Sequence, residues 1–199
     1  MKMDQALLDA AGRIDKQALV RTFDLYSPAL YNYALRLSGD PVLADHIVGD
    51  VFASLLEQLA AGKGPECNLR SYLFEIAYHR IVDEARYAKR RAPIEAAALL
   101  LPRDTHSGFP SVEDEIVYKE LMHAFQHELT DDQRHVIFLR FLEEFSLRET
   151  ATILDKTVEN VKIIQVRGLA RLRKYIQRQS LRKLGASSPP APVPGISGA

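Results

Sequence analysis

Residues 146–174, SLRETATILDKTVENVKIIQVRGLARLRK, limit what this chain can become more than any other stretch, because they read as two short helices joined by a tight turn. Ser146 followed by Glu149 is a capping box, in which the hydroxyl accepts from one orphan backbone N–H and the carboxylate reaches back to another. The spacing predicts a helix from about Leu147, with Leu147, Ala151 and Leu154 on one side. The run breaks at Asp155, Lys156 and Thr157, and Thr157 can cap a second helix. Helices separated by so short a turn cross steeply. From Val158 the second helix sets Val161, Gly168, Leu172 and Tyr175 on one face and Lys162, Ile163, Val166 and Arg167 towards the other. One face is expected to pack and the other to meet a ligand, which is how a major-groove reader is built.

The 26 Lys and Arg balance the 26 Asp and Glu, so the net charge gives no reason to expect a polyanion partner. Its distribution does. Residues 156–183 hold nine bases and a single acid, Glu159, whereas residues 92–155 hold thirteen acids and five bases. Such segregation suggests a nucleic-acid face beside a surface that avoids nucleic acid. A solvated basic helix running into a tail is the alternative that charge alone leaves open.

With 199 residues, 47% of them apolar, the chain can bury the core of one domain or of two small ones. The lone Cys67 excludes an internal disulfide and a cysteine-rich zinc site, which fits a reducing compartment. The amino-terminal segment carries Asp4, Asp9 and Asp15 without a continuous apolar stretch, so it does not read as a signal peptide. The longest apolar run, residues 96–101, falls far short of the ~20 needed to span a bilayer. The expectation is a soluble cytoplasmic protein.

Pro93, Pro102, Gly108 and Pro110 interrupt the middle of the chain. The predicted fold is therefore all-α: one small helical domain over residues 14–91, a flexible linker over 92–111, and a second over 112–178. A Pro-, Ser- and Ala-rich tail over 179–199 is expected to be disordered, since it has too little apolar surface to offset its ordering entropy. The first domain reads as three helices. One covers about 16–38, where Pro28 should kink or divide it. Asp40 and Pro41 start a second that reaches about Ala60 and ends at Gly62-Lys63-Gly64-Pro65. The third, about 69–91, is expected to bury Leu73, Phe74, Ala77, Ile81 and Ala85. It shows Tyr72, Glu75, His79, Asp83, Arg86 and Arg90 as a second stripe. An aromatic at one end, polar groups between, and Lys89, Arg90 and Arg91 at the other suit a single nucleic-acid strand, although an ordinary solvated face has the same look.

The order of these parts resembles the bacterial RNA polymerase sigma factors of the extracytoplasmic-function (ECF) group. The strings YALRLSGDPVLADHIVGDVF (33–52) and LRSYLFEIAYHRIVDEAR (69–86), with the helix-turn-helix, carry the resemblance over about residues 19–176. It implies that the first domain is sigma region two and the second sigma region four. It also implies an initiation factor rather than an enzyme, working without a cofactor or metal, whose partners are core RNA polymerase, promoter DNA and an anti-sigma factor. The helix over 41–59 resembles the surface that docks on the polymerase clamp, with Asp45, Asp50 and Phe52 at matching positions and His46 and Gly49 in place of an acid and a glutamine. The loop over 62–68 resembles the one that takes a flipped minus-ten base. Tyr72, His79, Arg80, Asp83 and Arg86 match positions that open and read the minus-ten strand, with Lys89 and Arg90 beside them. Thr157, Asn160, Lys162, Ile163, Val166, Arg167 and Arg171 form the implied minus-thirty-five face.

Departures from that pattern are specific. Tyr72 stands where tryptophan is usual and His79 where asparagine is; Asp155 replaces a turn glycine, a position that Asp tolerates better than most residues. Ile163-Ile164 replaces a polar-basic pair, which suggests contact with a thymine methyl. Gly49 weakens its helix by about 1 kcal/mol. With His46 it raises a second reading, a sigma-derived DNA-binding regulator that no longer docks on core polymerase. Elsewhere His123 and His127 are four apart but Ala124 breaks the metalloprotease pattern, so they read as surface histidines. Thr130 and Gln133 make Asp131-Asp132 the acidic opening of a capped helix rather than a catalytic pair.

Overall fold

The computed structural model describes residues 16–65, 68–91 and 112–185, and the regular elements among them are all helical. Helix α1 spans Lys16–Ser38, α2 Pro41–Ala60 and α3 Leu69–Arg91. After the segment 92–111, which lies outside the described residues with 1–15, 66–67 and 186–199, come α4 Val112–His127 and α5 Asp131–Ile137. Helix α5 runs into a π-helical turn, Phe138–Leu142, followed by α6 Leu147–Ile153 and α7 Val158–Gly185.

Local chemistry accounts for most of these boundaries. Pro28 lies inside α1 without dividing it, because the buried row Tyr26, Leu30, Tyr33 and Leu37 continues on both sides and holds the helix to the core. The Asp40 carboxylate accepts from the N–H groups of Val42 and Leu43 at 2.8 and 3.2 Å, and Pro41 follows at the position where its missing donor costs nothing. Gly62, at φ 68°, ends α2 in the left-handed region. Both expected capping boxes form, Thr130 with Gln133 and Ser146 with Glu149. Asp155 takes the left-handed turn at φ 50°, and Thr157 Oγ1 accepts from the Asn160 N–H at 3.2 Å to open α7.

Two expectations need correction. Ala85 is exposed, because from Asp83 onward the described part of α3 projects past the helices it packs on. Helix α7 continues to Gly185 instead of ending at Arg178, since residues 179–184 are fair to strong helix formers and the terminal glycine supplies the stop.

The two domains expected from the sequence share one core. Tyr33 of α1 and Phe74 of α3 are fully buried with Phe138 of the π-turn and Phe145 just before α6. Their rings are close enough for tilted and edge-on contact: Tyr33 to Phe74 at 5.4 Å, Tyr33 to Phe138 at 5.1 Å and Phe74 to Phe145 at 5.1 Å. Removing such a ring forfeits its transfer energy and leaves a cavity. Phe138→Ala is expected to lower stability by about 3–5 kcal/mol, and Ser146→Ala, which loses only a cap, by about 1 kcal/mol. Urea unfolding followed by circular dichroism measures both, and similar losses for the two would contradict this ranking.

Candidate nucleic-acid interface

The helix-turn-helix is positioned by its caps and by one face of α7. Glu149 Oε2 accepts from the Ser146 N–H at 2.7 Å while the Glu149 N–H donates to Ser146 Oγ at 3.2 Å. The Glu149 carboxyl is held below its ordinary range, first by its bond to Ser146 and against the opposing effect of burial. Val161, Gly168, Leu172 and Tyr175 are buried, and a Cβ added to Gly168 would meet Ile137 at 3.3 Å, so α5 and α7 approach through this glycine. Lys162, Ile163, Val166 and Arg167 stand exposed on the other side, with Ile163 at 49% and Val166 at 64%. Thr157 and Asn160 are exposed at the start of the same helix. Arg171 points elsewhere: its Nη1 donates to Gln133 Oε1 at 3.2 Å and towards the Glu128 carbonyl at 3.5 Å, tying α7 to α5.

On α3, Tyr72 is half-buried against the core, and burial raises its hydroxyl pKa. His79 and Asp83 are exposed, and Arg86 pairs with Asp83 at 3.5 Å. Arg80 leans on α2 instead, 3.8 Å from Asp50 and 3.4 Å from Ser54 Oγ, so one expected minus-ten position and one expected docking position form a pair. Lys89 and Arg90 lie on the last turns of α3, where only the backbone is described. An open cleft of about 750 Å³ separates Glu75 and His79 of α3 from Arg148, Thr152, Asp155, Lys156 and Thr157 of the helix-turn-helix.

The expected docking residues lie together on α2. Asp45, His46, Gly49 and Asp50 are exposed, and the half-buried Phe52 ring sits 4.8 Å from Phe23. Sequence reasoning missed the contribution of α1. Phe23, Pro28 and Tyr31 join Asp45, Val48 and Gly49 around a mostly apolar groove of about 410 Å³. Phe23, a large aromatic on this groove, is 46% exposed. Nothing lies within 4 Å of a Cβ built on Gly49, so the glycine leaves this groove open. His123 and His127 are exposed with rings 4.4 Å apart, and Tyr175 Oη lies 3.3 Å from His123 Nδ1.

Residues 22–91 match the family Sigma-70 region 2 and residues 127–174 match Sigma-70 region 4, in that order and together over more than half of the chain. This chain belongs to the sigma factors. Similar relatives are the ECF RNA polymerase sigma factor BldN of Streptomyces coelicolor, 25% identical over 170 residues that cover 83% of this chain and 64% of BldN, and SigX of Bacillus subtilis. SigX is 28% identical over 166 residues, covering 78% of this chain and 81% of SigX. The fold of the sigma factor is similar to that of RpoE from Bartonella quintana, solved with the anti-sigma factor NepR, at a TM-score of 0.64 and 22% identity over 79% of this chain and 95% of that one. It is equally similar to CnrH, solved with the cytosolic domain of CnrY, at 0.64 and 21% identity over 88% and 98%. No helix among the described residues is long and apolar enough to cross a membrane.

Sequence reasoning also missed His135. It is buried, with Nδ1 2.6 Å from the Tyr33 hydroxyl and its ring edge-on to Tyr78 at 4.9 Å. Burial lowers its pKa from 6.5 to about 4, with Arg134 adding and Asp132 and Asp131 opposing. Burial also pushes the Tyr33 pKa well up, so the bond joins two neutral groups. The unfolded chain binds a proton between pH 6.5 and 4 that the folded sigma factor does not. Stability is therefore complete above pH 6.5 and drains as the pH falls towards 4, by an amount on the order of 3 kcal/mol. Urea midpoints measured across that range should fall less steeply for His135→Gln than for the parent, and equal slopes would show that His135 is not held neutral.

Proposed function

We propose that this sigma factor binds core RNA polymerase through the α1–α2 groove and directs initiation at promoters read by α3 and α7. The observation that carries the proposal is the exposed row Lys162, Ile163, Val166 and Arg167 on a capped helix-turn-helix inside the region 4 match. Such a row offers the major groove charged donors beside apolar groups suited to a thymine methyl. In region 2, Tyr72 would wedge the minus-ten strand while His79, Asp83 and Arg86 meet its bases and backbone, with Lys89 and Arg90 on phosphates. The loop 62–68 would hold the flipped base. Arg80 and Arg171, each bonded within the protein, would have to exchange those bonds for DNA, whereas Arg167 is exposed on the recognition face.

The protein would act in the cytoplasm as an initiation factor rather than as an enzyme. RpoE and CnrH are held by NepR and CnrY, which supports an anti-sigma partner here as well. A regulator that has lost polymerase docking is the less favoured reading, because the α2 face keeps Asp45, Asp50 and Phe52 beside an open apolar groove.

Run-off transcription with core polymerase tests the proposal, and the expected result is a discrete start site that is absent with core alone. Core binding without any promoter-specific transcript would overturn it. Asp50→Arg should weaken core binding, and Arg167→Ala should weaken minus-thirty-five binding by ~1–3 kcal/mol with a shallower salt dependence. Replacing thymine by uracil in the minus-thirty-five element should weaken binding if Ile163 contacts the methyl.

A further inference from the structure

Neither promoter reading nor polymerase docking makes use of His123 and His127. The two stand four residues apart on α4, which sets their side chains on one face of the helix a turn apart, and both are exposed. Their ring centres are 4.4 Å apart and their planes are inclined at 40°. His123 is also held from behind. Tyr175 Oη lies 3.3 Å from its Nδ1, and the two rings stack at 6.1 Å with 27° between their planes. Tyr175 itself is fixed, because it is buried in the packing face of α7. Arg178, whose guanidinium carbon lies 6.0 Å from the centre of the Tyr175 ring, is paired with Glu128 at 2.9 Å.

Two imidazoles in this arrangement can chelate a metal, and their spacing favours one class of ion. Imidazole nitrogen bonds a late transition metal at about 2.0–2.1 Å, which puts the ion about 3.2 Å from the ring centre. Rings 4.4 Å apart then subtend roughly 90° at the metal, whereas a tetrahedral site would set them about 5.2 Å apart. A right angle belongs to neighbouring positions of a square-planar or tetragonal site, the geometry of Cu²⁺ and Ni²⁺, while Zn²⁺ prefers the tetrahedron. The general order of affinities also puts Cu²⁺ first. Tyr175 supplies the support that a metal-bound histidine needs. With the His123 Nδ1–H donated to Tyr175 Oη, Nε2 keeps its lone pair for the ion and the ring is oriented. No group of three or more His, Cys, Asp or Glu placed to hold a metal occurs among the described residues, so water completes the coordination.

We propose that His123 and His127 form a two-histidine site for a divalent late transition metal of the Cu²⁺ and Ni²⁺ class, with Tyr175 as the positioning residue, and that metal bound there strengthens the α4–α7 contact. The ion selects the tautomer in which His123 donates to Tyr175, so it favours the state in which α4 and α7 are joined at this point. The site is separate from the surfaces described above. Tyr175 follows Arg167 by eight residues, about 12 Å along the axis of α7, and belongs to the packing face rather than to the exposed row. The inference stands on these side chains alone and does not depend on the role proposed for α7.

Titration of the full chain with Cu²⁺, Ni²⁺ and Zn²⁺ in a non-chelating buffer, followed by calorimetry, tests the site. One ion of Cu²⁺ or Ni²⁺ per chain should bind, with Cu²⁺ tightest, and the electron paramagnetic resonance spectrum of the Cu²⁺ form should show coupling to two imidazole nitrogens. His123→Gln and His127→Gln, both at exposed positions and checked for folding by circular dichroism, should each lose that binding. Tyr175→Phe keeps the buried ring and removes only the hydroxyl, and it should weaken Ni²⁺ about tenfold. At a hundredfold excess over Kd, Ni²⁺ should raise the thermal midpoint of the parent by roughly 5–10 °C and leave that of His123→Gln unchanged. Binding that survives the loss of either histidine would mark an adventitious ion only and would overturn the site. Zn²⁺ bound more tightly than Cu²⁺ would overturn the right-angle geometry, and Tyr175→Phe binding Ni²⁺ as well as the parent does would remove Tyr175 from it. Metal bound at the two histidines without a shift in the midpoint would overturn the strengthening of the α4–α7 contact.

Discussion

Four aromatic rings from distant parts of the chain, Tyr33, Phe74, Phe138 and Phe145, meet in one buried cluster, and the remaining architecture is arranged around that meeting. Each is too large to be left exposed without substantial cost, and each fills space that no residue of its own helix could fill. Burial beside the cluster holds His135 in its neutral form, and the Tyr33 hydroxyl lies 2.6 Å from its Nδ1. It also sets where α3 and α6 come together. The charged contacts at Asn68, Arg70, Glu143 and Glu149 are therefore a consequence of ring packing as much as a cause of it.

The face of α7 proposed to read DNA depends on a different kind of determinant. Caps decide where α6 and α7 begin, and a residue at positive φ, Asp155, decides the angle between them. These are local interactions, each worth about 1 kcal/mol, yet they fix which side of α7 is buried. Gly168 then lets α7 lie close to α5, and that approach turns Ile163 and Val166 outward. Apolar groups held in water by packing on the opposite face mark a surface that meets something else.

Much of this was legible in the sequence because it is governed by neighbours within four residues. Asp40 with Pro41, Thr130 with Gln133, Ser146 with Glu149, and Thr157 place four helix starts, and the packing row of α7 follows from its period. The misses have non-local causes. Ala85 follows the buried period of α3, but no other helix reaches that far. The π-turn over Phe138–Leu142 accommodates one extra residue, and the Arg140 side chain bonds the Phe145 carbonyl and Gln165 across the bend it creates. Phe23 keeps a core-like spacing on α1 yet borders the groove with α2.

By itself, then, the sequence determined the helices, their caps, the order of the two regions and the row of side chains that α7 leaves exposed, since these depend on periodicity and on bonds between near neighbours. Only the tertiary structure decided that regions 2 and 4 share a core, that Arg80 and Arg171 are engaged within the protein, and that Asn68 reaches Glu149. Those outcomes depend on which surfaces find each other across as many as a hundred intervening residues, and no local pattern encodes that choice.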